Sequence, residues 1–127
     1  MKKLGDAELE IMKILWKNPV PCTSNQILER LHGIKDWKLS SLMTALSRLA
    51  QKGFVSCDRS TRTNYYTAVI SEEEYKLAES QTFLSRLYGN SIQKLVAGLY
   101  QGNHISEHDL QELRDYLNEQ EGKKWLH

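Results

Sequence analysis

The sequence predicts a mainly α-helical fold in which a three-helix unit is closed by a short β-hairpin and followed by a second run of helices. Three observations carry this reading. Apolar residues recur at helical spacing in six stretches, broken at Asn18-Pro19, Gly33, Gly53 and Gly89-Asn90. After Gly53 the period changes, and "FVSCD" and "YYTAVI" read as two short strands flanking the polar, cationic turn "RSTRTN". Charge is divided unevenly: residues 1–70 hold 11 Lys/Arg against 6 Asp/Glu, whereas residues 71–127 hold 6 against 10. A basic binding region (1–70) joined to an acidic region with another task (71–127) follows from that asymmetry.

A chain of 127 residues suits one compact domain, or a small domain with an appendage, and excludes a large multidomain enzyme. Cys22 and Cys57 are too few and too far apart for a disulfide framework or a metal knuckle, which fits reduced thiols in a cytoplasmic protein. The opening "MKKLGDAELEIMKILW" is basic at its start, but Asp6, Glu8, Glu10 and Lys13 interrupt its apolar residues, so it is no signal peptide. No segment approaches the ~20 apolar residues of a membrane span.

The first helix is expected to start at Asp6 as N-cap, with Leu9, Met12, Leu15 and Trp16 at helical spacing and Ile11 and Ile14 widening a face broad enough to be core. The second is marked by "TSNQ", a capping box between Thr23 and Gln26, with Ile27, Leu28 and Leu31 on its buried side and Gly33 as its stop. The third, within "DWKLSSLMTALSRLAQKGFV", buries Leu42, Ala45, Leu46 and Leu49 and ends at Gly53. Its other face is unusual: Ser40, Thr44, Ser47 and Gln51 follow the same period, with Met43 and Arg48 flanking them, where a solvated helix ordinarily carries Lys and Glu.

Three short helices followed by a basic-tipped hairpin describe a winged helix-turn-helix, in which the third helix enters the major groove and the hairpin lies along the backbone. Small hydroxyls on the third helix suit that use. Ser and Thr reach base edges and phosphates, Thr and Met touch a thymine methyl, and long hydrated side chains would hold the helix off the groove floor. In the hairpin, Arg59 and Arg62 are candidate phosphate or minor-groove contacts, and Asn64 sets the turn. Tyr65 and Tyr66 alternate across a strand, one toward the core and one outward. The alternative reading is a protein-interaction module, with the same face of the third helix taking a peptide or partner helix.

The acidic region opens with the capping box Ser71/Glu74 and a helix reaching about Tyr88, whose apolar residues include Leu84 and Leu87. "SIQKLVAGLY" follows with Leu95 and Leu99 at helical spacing, and a last helix capped by Ser106 carries Leu110, Leu113 and Leu117 on one side. These helices hold more apolar stripe than they can enclose alone, which predicts a homodimer, and twofold symmetry suits a palindromic site.

These residues resemble the penicillinase-repressor family, also called BlaI/MecI/CopY, across nearly the whole chain. "LGDAELEIMKILW" is similar to the family's first helix, "KDWKLSSLMTALSRLAQKGFV" to its recognition helix, "NYYTAVI" to its second wing strand and "SEHDLQELRDYL" to its last helix. The resemblance implies a winged-helix repressor that dimerises through its C-terminal helices, blocks transcription at palindromic operators, commonly of the TACA/TGTA type, and controls antibiotic-resistance genes of the β-lactamase type. Carried over by position, the DNA-facing set is Ser40, Ser41, Met43, Thr44, Ser47 and Arg48, with the wing supplied by Arg59 to Asn64. Family members often have Ser-Pro where this chain has Lys38-Leu39 and Arg or a polar residue in place of Met43, so its operator is expected to differ. The resemblance also implies a sensor-activated protease as a partner, cutting near Gly98-Leu99, where members often have Asn-Phe. The cysteine cluster of copper-responsive members has no counterpart in "EGKKWLH".

Other chemistry is not indicated. His32, His104, His108 and His127 lack the spacing of a closed zinc site, and no phosphate-binding glycine loop or nucleophile constellation is present. The expectation is a DNA-binding protein without cofactor or metal, and not an enzyme.

Overall fold

The computed structural model describes residues 1–33 and 36–124. The elements are α1 (Asp6–Lys17), β1 (Cys22–Thr23), α2 (Ser24–Leu31), α3 (Leu39–Gln51), β2 (Val55–Asp58), β3 (Tyr65–Ala68), α4 (Glu72–Tyr88), α5 (Ile92–Gln101) and α6 (Glu107–Lys124). The chain divides into two compact units, Met1–Glu79 and a second from Ser80 onward.

The first unit is a winged helix-turn-helix. Residues at helical spacing in α1 (Ile11, Met12, Ile14, Leu15), α2 (Ile27, Leu31) and α3 (Leu42, Ala45, Leu46, Leu49) are buried in one cluster with Phe54, Val55 and Tyr66. The start of α1 differs from expectation. Gly5, not Asp6, is the N-cap: its N–H donates to Glu8 Oε1 at 3.0 Å and its carbonyl accepts from Leu9 N at 2.9 Å. Glu8, reaching back from the third helical position, moves the boundary one residue earlier, and Asp6 becomes the first helical residue, where its charge suits the positive end of the helix.

Helix α2 begins with the expected box, Thr23 Oγ1 accepting from Gln26 N at 3.1 Å and Gln26 Oε1 accepting from Thr23 N at 2.9 Å. Thr23 also belongs to β1, a two-residue strand that sequence periodicity did not reveal. The sheet order is β1-β3-β2, all antiparallel, so the wing hairpin is anchored on a third strand placed between α1 and α2. Tyr66 on the central strand pairs with Cys22 on one side and Cys57 on the other. At roughly 4.8 Å per strand spacing, the two cysteines stand about 10 Å apart, beyond the reach of a disulfide; both are free thiols. Tyr66 is buried and Tyr65 exposed, as their alternation requires.

Helix α3 ends in a Schellman turn. Gly53 N donates to Ala50 O at 3.1 Å and Phe54 N to Leu49 O at 2.9 Å, with Gly53 at φ +83°. The hydrophobic pair that accompanies such turns is Leu49 with Phe54, both in the core cluster.

In the second unit, Ser91 caps α5 by accepting from Lys94 N at 3.1 Å, and Ser106 and Asp109 form a reciprocal box at the start of α6. Asn90 and Asn103 take left-handed conformations in the connections. No residue of α5 or α6 is buried, while Phe83, Leu87, Leu99, Leu113 and Leu117 are exposed.

Gly53→Ala is expected to destabilise the protein by about 1–2 kcal/mol through the left-handed backbone alone, because a Cβ there meets nothing within 4 Å. A lowered urea midpoint with an unchanged m-value measures it.

Candidate nucleic-acid interface

Complete burial of its inner residues orients α3 and leaves one polar face in solvent. Ser40, Ser41, Thr44, Ser47 and Arg48 are all exposed on it, together with Gln51. Met43 is half-buried and packs against the core cluster, so only part of its thioether is presented outward. Thr44 Oγ1 donates to Ser40 O one turn back at 3.1 Å. With its proton engaged, the hydroxyl faces outward as an acceptor, beside a methyl group. Lys38, the N-cap of α3, supplies no capping hydrogen bond, so the first-turn amides of this helix have no side-chain partner there.

A cleft of about 490 Å³ opens between the first turn of α1 and this face, lined by Asp6, Glu8, Trp37, Ser41, Thr44 and Arg48 among others. Its electrostatics are set by one ion pair that the sequence did not indicate. Lys52 Nζ, just past the end of α3, donates to both carboxylate oxygens of Glu8 at 2.7 and 2.9 Å. Burial pushes the Glu8 carboxyl up, but the Lys52 hydrogen bond, the Gly5 N–H and the charges of Lys52 and Arg48 outweigh it and hold the group below its ordinary value. The charge of Lys52 is thereby balanced by Glu8, while Arg48 stands exposed one turn earlier. The partners are 44 residues apart, so no local spacing announces them.

The wing is shaped by short-range hydrogen bonds. Ser60 N donates to Asp58 Oδ1 at 2.9 Å, and the Ser60 hydrogen bonds, side chain and backbone, hold the Asp58 carboxyl below its ordinary value. Thr61 Oγ1 donates to Thr63 O at 2.8 Å. Arg59 and Arg62 are exposed in this loop. A hydrogen bond with the Cys57 side chain raises the Arg59 guanidinium above its usual value. Burial, then the Cys57 side chain, raises the Tyr66 hydroxyl, while Asn64 and Arg59 work against the rise. Asn64 is half-buried where the chain enters β3.

The remaining sequence expectations fall elsewhere. Leu84, Leu87, Leu95, Leu99, Leu110, Leu113 and Leu117 lie in the C-terminal helices, half-buried or exposed, and Gly98 and Leu99 lie inside α5, exposed. Among the described residues no group of three or more His, Cys, Asp or Glu side chains is placed to hold a metal ion, and His127 lies outside them. No helix among the described residues is long and apolar enough to cross a membrane.

A helix with a dehydrated inner face and a hydroxyl-bearing outer face, flanked by a cationic wing, defines a protein of the winged-helix DNA-binding class. Comparison with known proteins narrows this. The profile of the family described as penicillinase repressor matches residues 4–119, and the chain belongs to that family, whose members are DNA-binding transcriptional repressors and not enzymes. It is 31% identical to the penicillinase repressor of Bacillus licheniformis, covering 98% of each chain. It is 28% identical to the methicillin resistance regulatory protein MecI of Staphylococcus aureus (strain N315), covering 91% of this chain and 94% of that one. Among solved structures, the DNA-binding domain of the repressor BlaI superposes with a TM-score of 0.51 at 35% identity, covering 59% of this chain and 94% of that domain. The Bacillus licheniformis BlaI monomer in complex with the blaP half-operator superposes with a TM-score of 0.50 at 32% identity, covering 58% and 89%.

Because the folded-state value of Glu8 is depressed, its contribution is present above the ordinary glutamate value and is lost as pH falls through the depressed one. Glu8→Gln is expected to lower stability at pH 7 by about 1–2 kcal/mol. Paired urea titrations at pH 7 and pH 3 check the sign: the gap between variant and wild type narrows in acid.

Proposed function

We propose that the protein is a transcriptional repressor that binds a palindromic operator as a homodimer in the cytoplasm and controls antibiotic-resistance genes of the β-lactamase type. The observation that carries this is the outer face of α3, whose small hydroxyls stand exposed on a helix held rigidly from behind. In the major groove, Ser40, Ser41, Thr44 and Ser47 act at base edges and phosphates, Met43 and the Thr44 methyl lie against apolar base surface, and Arg48 binds a guanine edge or a phosphate. As an acceptor, the Thr44 hydroxyl favours bases that present an amino group, adenine or cytosine. Arg59 and Arg62 hold phosphates from the wing, and Asn64 keeps its shape. Relatives at 31% and 28% identity over nearly the full chain carry repressor and resistance-regulator names, and one related structure is a complex with a half-operator, which supports the reading.

Residues 71–127 form the dimerisation region in this proposal. Leu87, Leu99, Leu113 and Leu117 are exposed on helices with no buried residue past Tyr75, and burial against a second copy at about 25 cal/mol per Å² is the available way to dehydrate them. Leu84, Leu95 and Leu110 continue the same stripes. Release by a sensor-activated protease at Gly98-Leu99 requires α5 to open locally, since a bond inside a hydrogen-bonded helix does not fit a protease cleft. Gly98, exposed and without a Cβ, weakens the helix at that point.

Selection of fragments from random duplex DNA by the purified protein tests the whole proposal, a palindrome being the expected product; enrichment of no sequence, or affinity indifferent to salt, overturns it and favours the peptide-binding alternative. Arg62→Ala is expected to weaken binding to every duplex alike and to reduce the salt slope by about one unit. Thr44→Val keeps the methyl and removes the acceptor, so preference at one base position is expected to relax by about 1 kcal/mol, read as a change in relative rather than overall affinity. Replacing Leu113 and Leu117 together by Glu is expected to yield a monomer in sedimentation, with palindrome affinity lowered at least tenfold and half-site affinity retained.

A further inference from the structure

Helix α4 leaves the winged unit, and the hold on its first two turns comes from residues distant in sequence. Tyr75 is the only residue of α4 that is buried. Its ring packs edge-on against Phe54 at 5.8 Å and tilted against Trp16 at 6.0 Å. Its hydroxyl accepts from the buried Leu4 N–H at 3.0 Å, 71 residues away. Trp16 Nε1–H donates to Ile70 O at 2.9 Å just before the helix, and Lys3 pairs with Glu79 at 3.6 Å one turn beyond Tyr75. One side chain thus joins α4 to α1, to the residue ending the α3 turn, and to the N-terminal segment.

We infer that Tyr75 is a positioning residue for operator spacing: by pinning the base of α4 to the winged unit, it restricts the separations at which two recognition helices can engage DNA together. This rests on the homodimer proposed above. The physical argument is leverage. From Tyr75 to Tyr88, thirteen residues of helix extend about 20 Å at 1.5 Å per residue. A 10° tilt at the base displaces the far end by about 3.4 Å, the rise of one base pair. Looseness at Tyr75 is therefore read on DNA as tolerance of one inserted or deleted base pair, with the contacts inside each half-site unaltered. The partners of Tyr75 are Trp16, Phe54 and Leu4, none of them on the outer face of α3 or in the wing loop, so the inferred effect passes through α4.

The test uses full-length Tyr75→Phe, which keeps the ring and leaves Leu4 N–H without its acceptor, and Tyr75→Ala, which removes both. Each is titrated against the selected palindrome, against versions with one or two base pairs inserted or removed at the centre, and against a single half-site. The wild type is expected to prefer its own spacing at least tenfold, Tyr75→Ala threefold or less, and Tyr75→Phe an intermediate amount, with half-site affinity within twofold and sedimentation as a dimer throughout. Variants that keep the wild-type spacing ratio overturn the positioning role and leave the dimer reading standing; a lowered half-site affinity overturns it too, in favour of a general structural role. A wild-type dimer indifferent to spacing overturns the positioning role alone, and a wild-type monomer overturns the dimer reading. If Tyr75→Ala does not unfold cooperatively, the spacing ratio of Tyr75→Phe decides.

Discussion

The complete dehydration of one face of α3 is the constraint on which the rest of this protein depends. Leu42, Leu46 and Leu49 lose essentially all contact with water against α1 and α2, and the chain leaves the helix through a glycine turn that places Phe54 under Leu49. Interiors are packed as densely as crystals, so a helix held this way has little freedom to rotate about its axis. Rotation matters for the proposed reading edge because its serine and threonine side chains are short. Serine and threonine have no length with which to correct a misplaced backbone, so a hydroxyl reading edge is workable only on a helix whose register is fixed from behind.

The polar interactions that matter most are long-range and few. Glu8 with Lys52 joins the first turn of α1 to the end of α3, Trp16 with Ile70 joins the end of α1 to the chain leaving the sheet, and Tyr75 with Leu4 ties α4 to the N-terminus. The bond to Leu4 satisfies a buried donor and the other two satisfy part-buried ones, and each bridges segments that the apolar core brings close without orienting. The same economy governs charge: Glu8 takes up Lys52, while Lys38 at the start of α3, Arg48 on its outer face, and Arg59 and Arg62 in the wing stay exposed.

The second unit follows the opposite logic. Its helices are well capped, by Ser91 and by the Ser106/Asp109 box, so their ends are satisfied locally, yet α5 and α6 bury no residue. Caps determine where helices begin; they do not dehydrate leucines. In the proposed homodimer this apolar stripe is buried against a second copy, and twofold pairing of that kind would match the symmetry of a palindrome.

Much of this was legible in the sequence because it depends on interactions within a few residues. Helical spacing located α1 to α3 and their buried faces, Thr23/Gln26 and Ser71/Glu74 marked two helix starts, Gly53 marked a stop, and the change to alternation announced the wing. The family resemblance held over residues 4–119. What escaped was what distant segments decide together. The N-cap of α1 fell on Gly5 because Glu8 reaches back to it. Strand β1, two residues long, exists only because β3 is there to pair with it. The pairing of Glu8 with Lys52, the half-burial of Met43 and the hold of Tyr75 on Leu4 arise once the core has closed. Periodicity and capping are local physics and can be read from one chain segment; which donor meets which acceptor across 44 or 71 residues is chosen by packing, and only the tertiary structure makes that choice.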